Sequence, residues 1–560
     1  MVAFHRMPTL RHRQYRTKFR LRASAQKASA GYSLRFAAAL AVPLLAAACA
    51  SDPAPAPTTP VGANDFETTI ARLEILDPQS PEALNARLEY ADFLADPPSD
   101  PSSSAAGGDC RKRLDAAQAE FDVLAARPAV RVLLLLGPAR LANIAYKIHA
   151  ARADCDPANR RSELQQALEA ARGGVTLYHE AMDYQSAAVM QFNIATAEHD
   201  LGEEAAAVGA LKDAIAMDRE FGFRDDAEDN ERLLLRWTKA ADDDAAVAAA
   251  MKDFPARSLA FKFDWSRGQA DVAVAADDLS LVDGKLVQSH GAIHIERKID
   301  AASRDWTVTN NPGFAQYQLG DWPAGAKGGQ WLAFYFLATT LMQAPSIKVT
   351  HGGDFNAVTD AKTFGSQLAL RVSARMDQIP SQSDLASVSA TERDMKAAFS
   401  PEFVQDSAAL DYGMETGAWI GAKLTQGTWY QMTTPLFLPA LGLGHYLVNQ
   451  DITFAFTREL PCTADAPGHL CAEIVLRATP KPEDLKQIIS QMGSQLKFSA
   501  SQSLHYRAQT YIRLVVDPAT LLPYVRDVWQ SWFCRLTGAT DGKNSPIIEQ
   551  LRAVSTVSYH

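Results

Sequence analysis

Catalytic signatures are what this chain has least of. Its 560 residues contain no Gly-x-Ser-x-Gly elbow to present a serine, no His-Glu-x-x-His pair, no Cys-x-x-Cys pair at zinc spacing and no phosphate loop ending in Lys-Ser or Lys-Thr. Each of those motifs holds fixed residue types side by side because its chemistry needs them there, so serine hydrolases, zinc proteases, zinc modules and phosphate-loop NTPases all lose their usual support. His351-Gly352-Gly353-Asp354 has the glycines of an esterase oxyanion loop but no nucleophile to serve, and reads as a glycine turn. Gly442-Leu443-Gly444-His445 lacks the third glycine of a dinucleotide site. No cofactor is implied. Positive charge is scarce as well: the formal net charge is -10, and nine basic residues (Arg6, Arg11, Arg13, Arg16, Lys18, Arg20, Arg22, Lys27, Arg35) crowd into the first 48 positions, which hold no acid. Residues 49–560 alone carry -19, a balance that repels phosphates and argues against nucleic acid as a partner.

What is present begins with an address. Phe36–Ala48 is an apolar run of about thirteen residues, short of the roughly 20 that a membrane-spanning helix needs but suited to a signal-peptide core behind a basic leader. It ends in Leu45-Ala46-Ala47-Ala48-Cys49, which resembles the lipobox of bacterial lipoproteins, with Ala46 where leucine is usual. The resemblance implies cleavage after Ala48, acylation of Cys49, and, with Ala50 rather than Asp next in line, sorting to the outer membrane. Residues 1–48 are then a signal peptide and 49–64 an acylated tether, extended by Pro53, Pro55, Pro57 and Pro60. An ordinary cleaved signal that frees a soluble periplasmic protein is the alternative.

The remaining length exceeds what one core usually organises, and the composition shifts near Pro255. The chain is therefore read as a two-domain α+β protein, with an all-α helical-repeat region at 65–252 and a β-rich curved-sheet domain with helical insertions at 256–560. In the first, Leu141-Ala142-Asn143-Ile144-Ala145 and Gln191-Phe192-Asn193-Ile194-Ala195 share Asn-Ile-Ala, and each precedes a second Ala-rich helix, at Leu164–Arg172 and Glu203–Glu220. The second unit, with Ala195, Gly202, Ala207, Leu211 and Ala214, resembles a tetratricopeptide repeat, departing from it at Glu198 and Arg219. A further pair is drawn from Pro81–Leu94 and Arg111–Arg127, with Glu228–Lys239 as a closing helix. An unrelated helical bundle with Ala-rich seams is the alternative.

An oxidising compartment lets the other cysteines pair. Cys110 and Cys155 fall on one edge of the drawn stack, so a bridge would tie neighbouring helix pairs; Cys462 and Cys471 flank a turn between two alternating segments and suit a hairpin-end disulfide. Cys534 is left over and reads as a buried, inert thiol.

After Ala256 strands are predicted at Ser258–Trp265, Ala270–Val274, Leu279–Val287 and Ala292–Ile299, with Asp283-Gly284 as a turn, then at Thr428–Thr433, Asp451–Thr457, Cys471–Ala478, Leu504–Val516 and Tyr524–Trp529. Helices are predicted at Gln330–Met342, within Asp360–Arg375, at Ala390–Phe399, Glu402–Tyr412 and Pro482–Met492. The strand Leu504–Val516, its Asp517-Pro518-Ala519-Thr520 turn and the return strand resemble the ends of curved-sheet periplasmic lipoproteins of the lipid-carrier and lipoprotein-localisation type. That resemblance implies a sheet wrapped round a helix or an apolar cavity.

His290, His294 and Glu296 share one face of a regular strand and form the candidate metal set; an exposed polar face explains them equally. The leading functional expectation is a non-catalytic outer-membrane lipoprotein, facing the periplasm. Its membrane contact is the lipid anchor, its helical repeats bind an envelope protein partner, and its β-rich domain takes an apolar or peptide ligand. The alternatives are a periplasmic metal-dependent hydrolase using His290, His294 or His351, and a lipid or lipoprotein carrier.

Overall fold

The computed structural model describes residues 63–96, 107–239, 244–254, 257–282, 284–313, 316–318, 345–376, 400–437, 447–495, 503–537 and 546–560. Within them the chain is α+β: helices occupy the N-terminal part and a large antiparallel sheet with inserted helices the rest. Cys49, the tether and the helices predicted at Gln330–Met342 and Ala390–Phe399 lie outside the described residues.

The helical part runs through α1 (Ala63–Leu76), α2 (Pro81–Ala95), α3 (Gly107–Ala125), the short α4 (Pro128–Leu133), α5 (Gly137–Cys155), α6 (Arg160–Glu180), α7 (Tyr184–Asp200), α8 (Glu204–Phe221), α9 (Arg224–Trp237) and α10 (Asp244–Ala250). Local signals set the ends. Ser80 Oγ accepts the Ala83 amide at 3.2 Å ahead of Pro81, and Gly222, at φ 82°, closes α8 in the left-handed conformation. Small side chains line the seams: Ala167, Ala171, Ala187, Ala195, Ala207 and Ala214 are all buried, which lets α6, α7 and α8 pack closely. The three drawn pairs coincide with α2/α3, α5/α6 and α7/α8, and α9 follows as the closing helix. Absent from the prediction is α4, whose Val130, Val132, Leu133 and the following Leu134 and Leu135 are buried as a wedge against the sheet rather than as a member of a pair.

Both predicted disulfides are present. Cys110, in the first turn of α3, is bonded to Cys155 at the end of α5, closing a sequence separation of 45 residues. By loop entropy such a closure stabilises by about 4 kcal/mol. Replacing both cysteines by serine is therefore expected to lower the unfolding free energy by about that amount, read as a lower urea midpoint with an intact circular dichroism spectrum below the transition. Cys462–Cys471 closes the end of a hairpin over a separation of 9 residues.

The sheet follows the order β7-β6-β4-β3-β2-β14-β13-β12-β11-β10-β9, antiparallel throughout, with β5 (Gln316–Gln318) added to β3. In chain order its strands are β2 (Gly268–Val282), β3 (Lys285–Ala301), β4 (Asp305–Pro312), β6 (Ile347–Thr350), β7 (Phe355–Val358), β9 (Trp429–Phe437), β10 (Leu447–Pro461), β11 (Leu470–Pro480), β12 (Ser503–Val516), β13 (Pro523–Thr537) and β14 (Ile547–Tyr559). β1 (Ser258–Ala260) pairs separately with β8 (Lys423–Thr425). The inserted helices are α11 (Ala361–Met376), α12 (Pro401–Glu415) and α13 (Pro482–Gln495).

Three strand predictions need correction. Of Ser258–Trp265 only Ser258–Ala260 is a strand. Ala270–Val274 and Leu279–Val287 are not separate strands; β2 is continuous to Val282, which pairs with Lys285 of β3, and Gly284 between them takes φ 77°, while Asp283 of the predicted turn lies outside the described residues. The apparent break, Asp277-Asp278, sits inside the strand because Asp278 is buried against Glu549 of β14. β14 itself, between β2 and β13, is not among the predicted strands.

The back face of the sheet is joined to the helical part through two apolar clusters. Leu281, Phe533 and Ile548 pack with Leu84, Leu88, Val132 and Leu133, and Val475 and Tyr511 pack with Tyr184 and Phe221. Polar contacts reinforce the seam: Arg535 pairs with Asp77 at 2.7 Å, Arg477 with Asp183 at 3.4 Å, and Ser531 Oγ donates to the Leu133 carbonyl at 2.9 Å. At Gly427, φ 70°, a Cβ would lie 2.6 Å from the Gly222 carbonyl oxygen, so the close approach there requires glycine. The opposite, front face packs on Trp419, Phe261 and Met414 at one end and on Leu485 of α13 in the middle.

Candidate functional site

The structure does not bring the candidate metal set together. His290, His294 and Glu296 share the part of the back face that is exposed, but four residues of extended strand separate the two histidines by roughly 13 Å, whereas a zinc ligand stands about 2 Å from its metal. Each side chain has its own neighbour: His290 Nδ1 lies 3.0 Å from Asp277, His294 Nε2 lies 3.0 Å from Asp271, and Glu296 accepts from Asn311 at 3.2 Å. No group of three or more His, Cys, Asp or Glu able to hold a metal occurs among the described residues. His351 packs edge-on to Trp306, with Nε2 3.2 Å from the Ala302 carbonyl oxygen, in the turn between β6 and β7. Cys534 is a half-buried free thiol on the front face; burial pushes its pKa up to about 12, so the nucleophilic thiolate is suppressed.

Chemistry gathers instead on the front face, in a cleft between β2, β3, β4, β13 and β14 on one side and α12 on the other. Ser400 Oγ accepts the Phe403 amide at 3.2 Å and Pro401 starts the helix, which fixes where α12 crosses the sheet. Strand alternation supplies the floor: Val272 and Val274 of β2, Ile299 of β3, Val308 of β4 and Val557 of β14 all point to this side. Trp265 and Tyr412 form an aromatic wall at a ring separation of 6.2 Å, and the Tyr412 hydroxyl donates to the Gly353 carbonyl at 2.7 Å.

Two arginines stand in that apolar setting and differ in kind. Arg526 of β13 donates to Asp411 at 2.8 Å and to Glu415 at 3.0 Å, both on α12, so its charge is met. Burial works against the charged guanidinium, but those two carboxylates outweigh it and hold its pKa above the ordinary value. Arg297 of β3 donates through Nε to Asn310 Oδ1 at 3.0 Å and also bonds the Tyr559 hydroxyl, and among the described residues no carboxylate lies within ion-pair distance of it. Asn310 is itself fixed, donating to the Pro345 carbonyl at 2.9 Å and, through its amide, to Ser346 Oγ at 3.0 Å. Burial pushes the Tyr559 hydroxyl pKa above its usual value despite the opposing charge of Arg297, so it stays protonated. None of these residues is flagged by local sequence; only the pairing of β2 with β14 and β3 with β4 makes them neighbours.

A second buried polar cluster lies farther along the same face. Asp278 and Glu549, on adjacent strands and 0% and 1% exposed, hydrogen-bond to each other, and Ser280 Oγ donates to Asp278 at 3.2 Å. Desolvation raises both pKa values, Asp278 to about 6 and Glu549 well above the normal range, so the pair shares a proton at neutral pH.

No family model matches the chain, and no curated protein matches it. Among solved structures, one titled "Lipid-protein interactions in lipovitellin" is similar over 53% of this chain and 25% of that chain, at 10% identity and a TM-score of 0.25. The chain thus spans a quarter of that protein, and a likeness of this size fixes neither fold nor ligand.

Proposed function

We propose that the chain is a non-catalytic envelope lipoprotein, anchored in the outer membrane through Cys49 and facing the periplasm, that binds a small ligand on the front of its sheet. Its helical pairs, read as tetratricopeptide-like, close the back of the sheet and offer their outer side to a protein partner. The observation that carries the ligand reading is the cleft itself, a partly apolar recess holding a guanidinium with no carboxylate partner among the described residues.

Native mass spectrometry of the full chain extracted from membranes in mild detergent tests the reading. A non-covalent mass excess that is lost on denaturation is expected; a bare acylated polypeptide in every preparation would count against a resident ligand. Replacing Cys49 by serine is expected to move the protein from the membrane to the soluble periplasmic fraction, and retention with membranes would overturn the anchor.

A further inference from the structure

We infer that the cleft takes a small monocarboxylate with an aliphatic body, its carboxylate held by Arg297 and its chain laid along Val272, Val274, Ile299 and Val308. The inference deepens the ligand-binding reading and rests on it.

Arg297 sets the charge of the ligand: it lines the cleft with Asn310 and Tyr559 as its side-chain partners, and no carboxylate lies within ion-pair distance of it among the described residues. Its Nε–H is spent on Asn310 and a further N–H on the Tyr559 hydroxyl; these bonds hold the guanidinium plane in place, and its remaining terminal N–H groups can donate to a carboxylate.

Two further observations limit what the anion is. Asp411 and Glu415 share a single arginine, Arg526, so the α12 side of the cleft keeps a residual negative charge at the helix C-terminus, where the dipole is also negative. A dianion such as a phosphate monoester would meet that charge; a monoanion placed at the Arg297 end avoids it. The floor is aliphatic, which favours a hydrocarbon chain over a polar body.

The test is isothermal titration of the full-length protein with hexanoate, with hexan-1-ol and inorganic phosphate as controls, repeated on Arg297→Gln and Trp265→Phe. Hexanoate is expected to bind, phosphate not to, and hexanol to bind at least about tenfold more weakly, the loss typical of a missing charge-assisted hydrogen bond. Arg297→Gln is expected to cut hexanoate affinity about 10- to 100-fold and to leave hexanol unchanged; Trp265→Phe, which keeps the ring wall and whose indole nitrogen is closed off from the cleft, is expected to leave both nearly unchanged. Equal binding of hexanol and hexanoate, or equal loss of both in Arg297→Gln, would overturn the carboxylate while leaving an apolar site. Binding of none of the probes, with the thermal midpoint unmoved by any of them, would remove the inference; if a resident ligand of another kind is nonetheless seen by native mass spectrometry, the broader ligand-binding reading survives it. If Arg297→Gln fails to fold, Arg297→Lys and the hexanol comparison carry the test.

Discussion

Glu473→Gln is expected to destabilise the whole protein by about 3–5 kcal/mol, the scale seen when one partner is removed from a buried charge pair. Glu473 is fully buried at the seam between the sheet and the helices. Its carboxylate accepts from Arg513 at 2.7 Å and from Thr457 Oγ1 at 2.8 Å, and Arg458 Nε lies 3.5 Å away. Arg458 reaches on into the helical part, where it pairs with Glu220 and lies 4.9 Å over the Phe221 ring. Taking the charge from Glu473 leaves two half-buried guanidinium groups facing each other with one neutral acceptor between them. Burial alone pushes the Glu473 pKa up, but Arg513 and Arg458 outweigh it and hold it below the ordinary carboxylate range. With the folded pKa depressed, the stabilisation is present above the unfolded value near 4.5 and is lost as pH falls through the folded pKa. Chemical unfolding at pH 7 and below pH 4 checks both parts: the variant should differ from the parent at neutral pH and converge on it in acid.

Glu549→Gln is expected to act in the opposite direction. At neutral pH Asp278 and Glu549 hold one proton between them, and raising the pH forces a second charge into a site with no counter-ion among the described residues. A raised folded pKa means stability that is complete below the unfolded values near 4 and drains away as pH rises through about 6 and beyond. A glutamine at 549 offers Asp278 a permanent amide donor, so the hydrogen bond persists when Asp278 ionises. Burial raises the pKa of Glu549 itself, so removing its titration takes away the stability it loses as pH rises, and the variant is expected to gain on the parent at pH 9. Thermal unfolding from pH 5 to 9 reads it: the midpoint of the parent should fall across the range and that of Glu549→Gln should fall less, because Asp278 still ionises in a buried site. A parallel fall in both would show that the pair does not govern alkaline stability.

These two clusters explain why some of the fold was legible in the sequence and some was not. The helix pairs stood out because alanines at helical spacing and caps such as Ser80-Pro81 are local signals, and Asp283-Gly284 marked its hairpin for the same reason. The disulfides were legible because the edge of a helix stack and the end of a hairpin follow from local structure alone. β14 was hidden: it places Glu549 and Arg552 where a half-buried strand should alternate cleanly, and those charges make sense only beside Asp278 and Asp527, far away in the chain. α4 reads as an apolar run with no polar face because it is a wedge between two layers, a role that needs the sheet to be known first. The cleft was the least legible feature of all, since Trp265, Arg297, Tyr412, Arg526 and Tyr559 come from five separate elements. His290, His294 and Glu296 were picked out by alternation, and alternation does put them on one face. Strand rise then separates them, a distance that a face assignment does not contain.

Hydrogen exchange of the full chain, with and without hexanoate at saturating concentration, tests most directly the central claim that the front face of the sheet is the binding face. Slower exchange is expected in Pro401–Glu415 and in the β3 and β4 segments around Arg297 and Asn310, with the helices from Gly137 to Phe221 unchanged. Protection that appears on those helices instead, with the cleft segments exchanging as before, would contradict it.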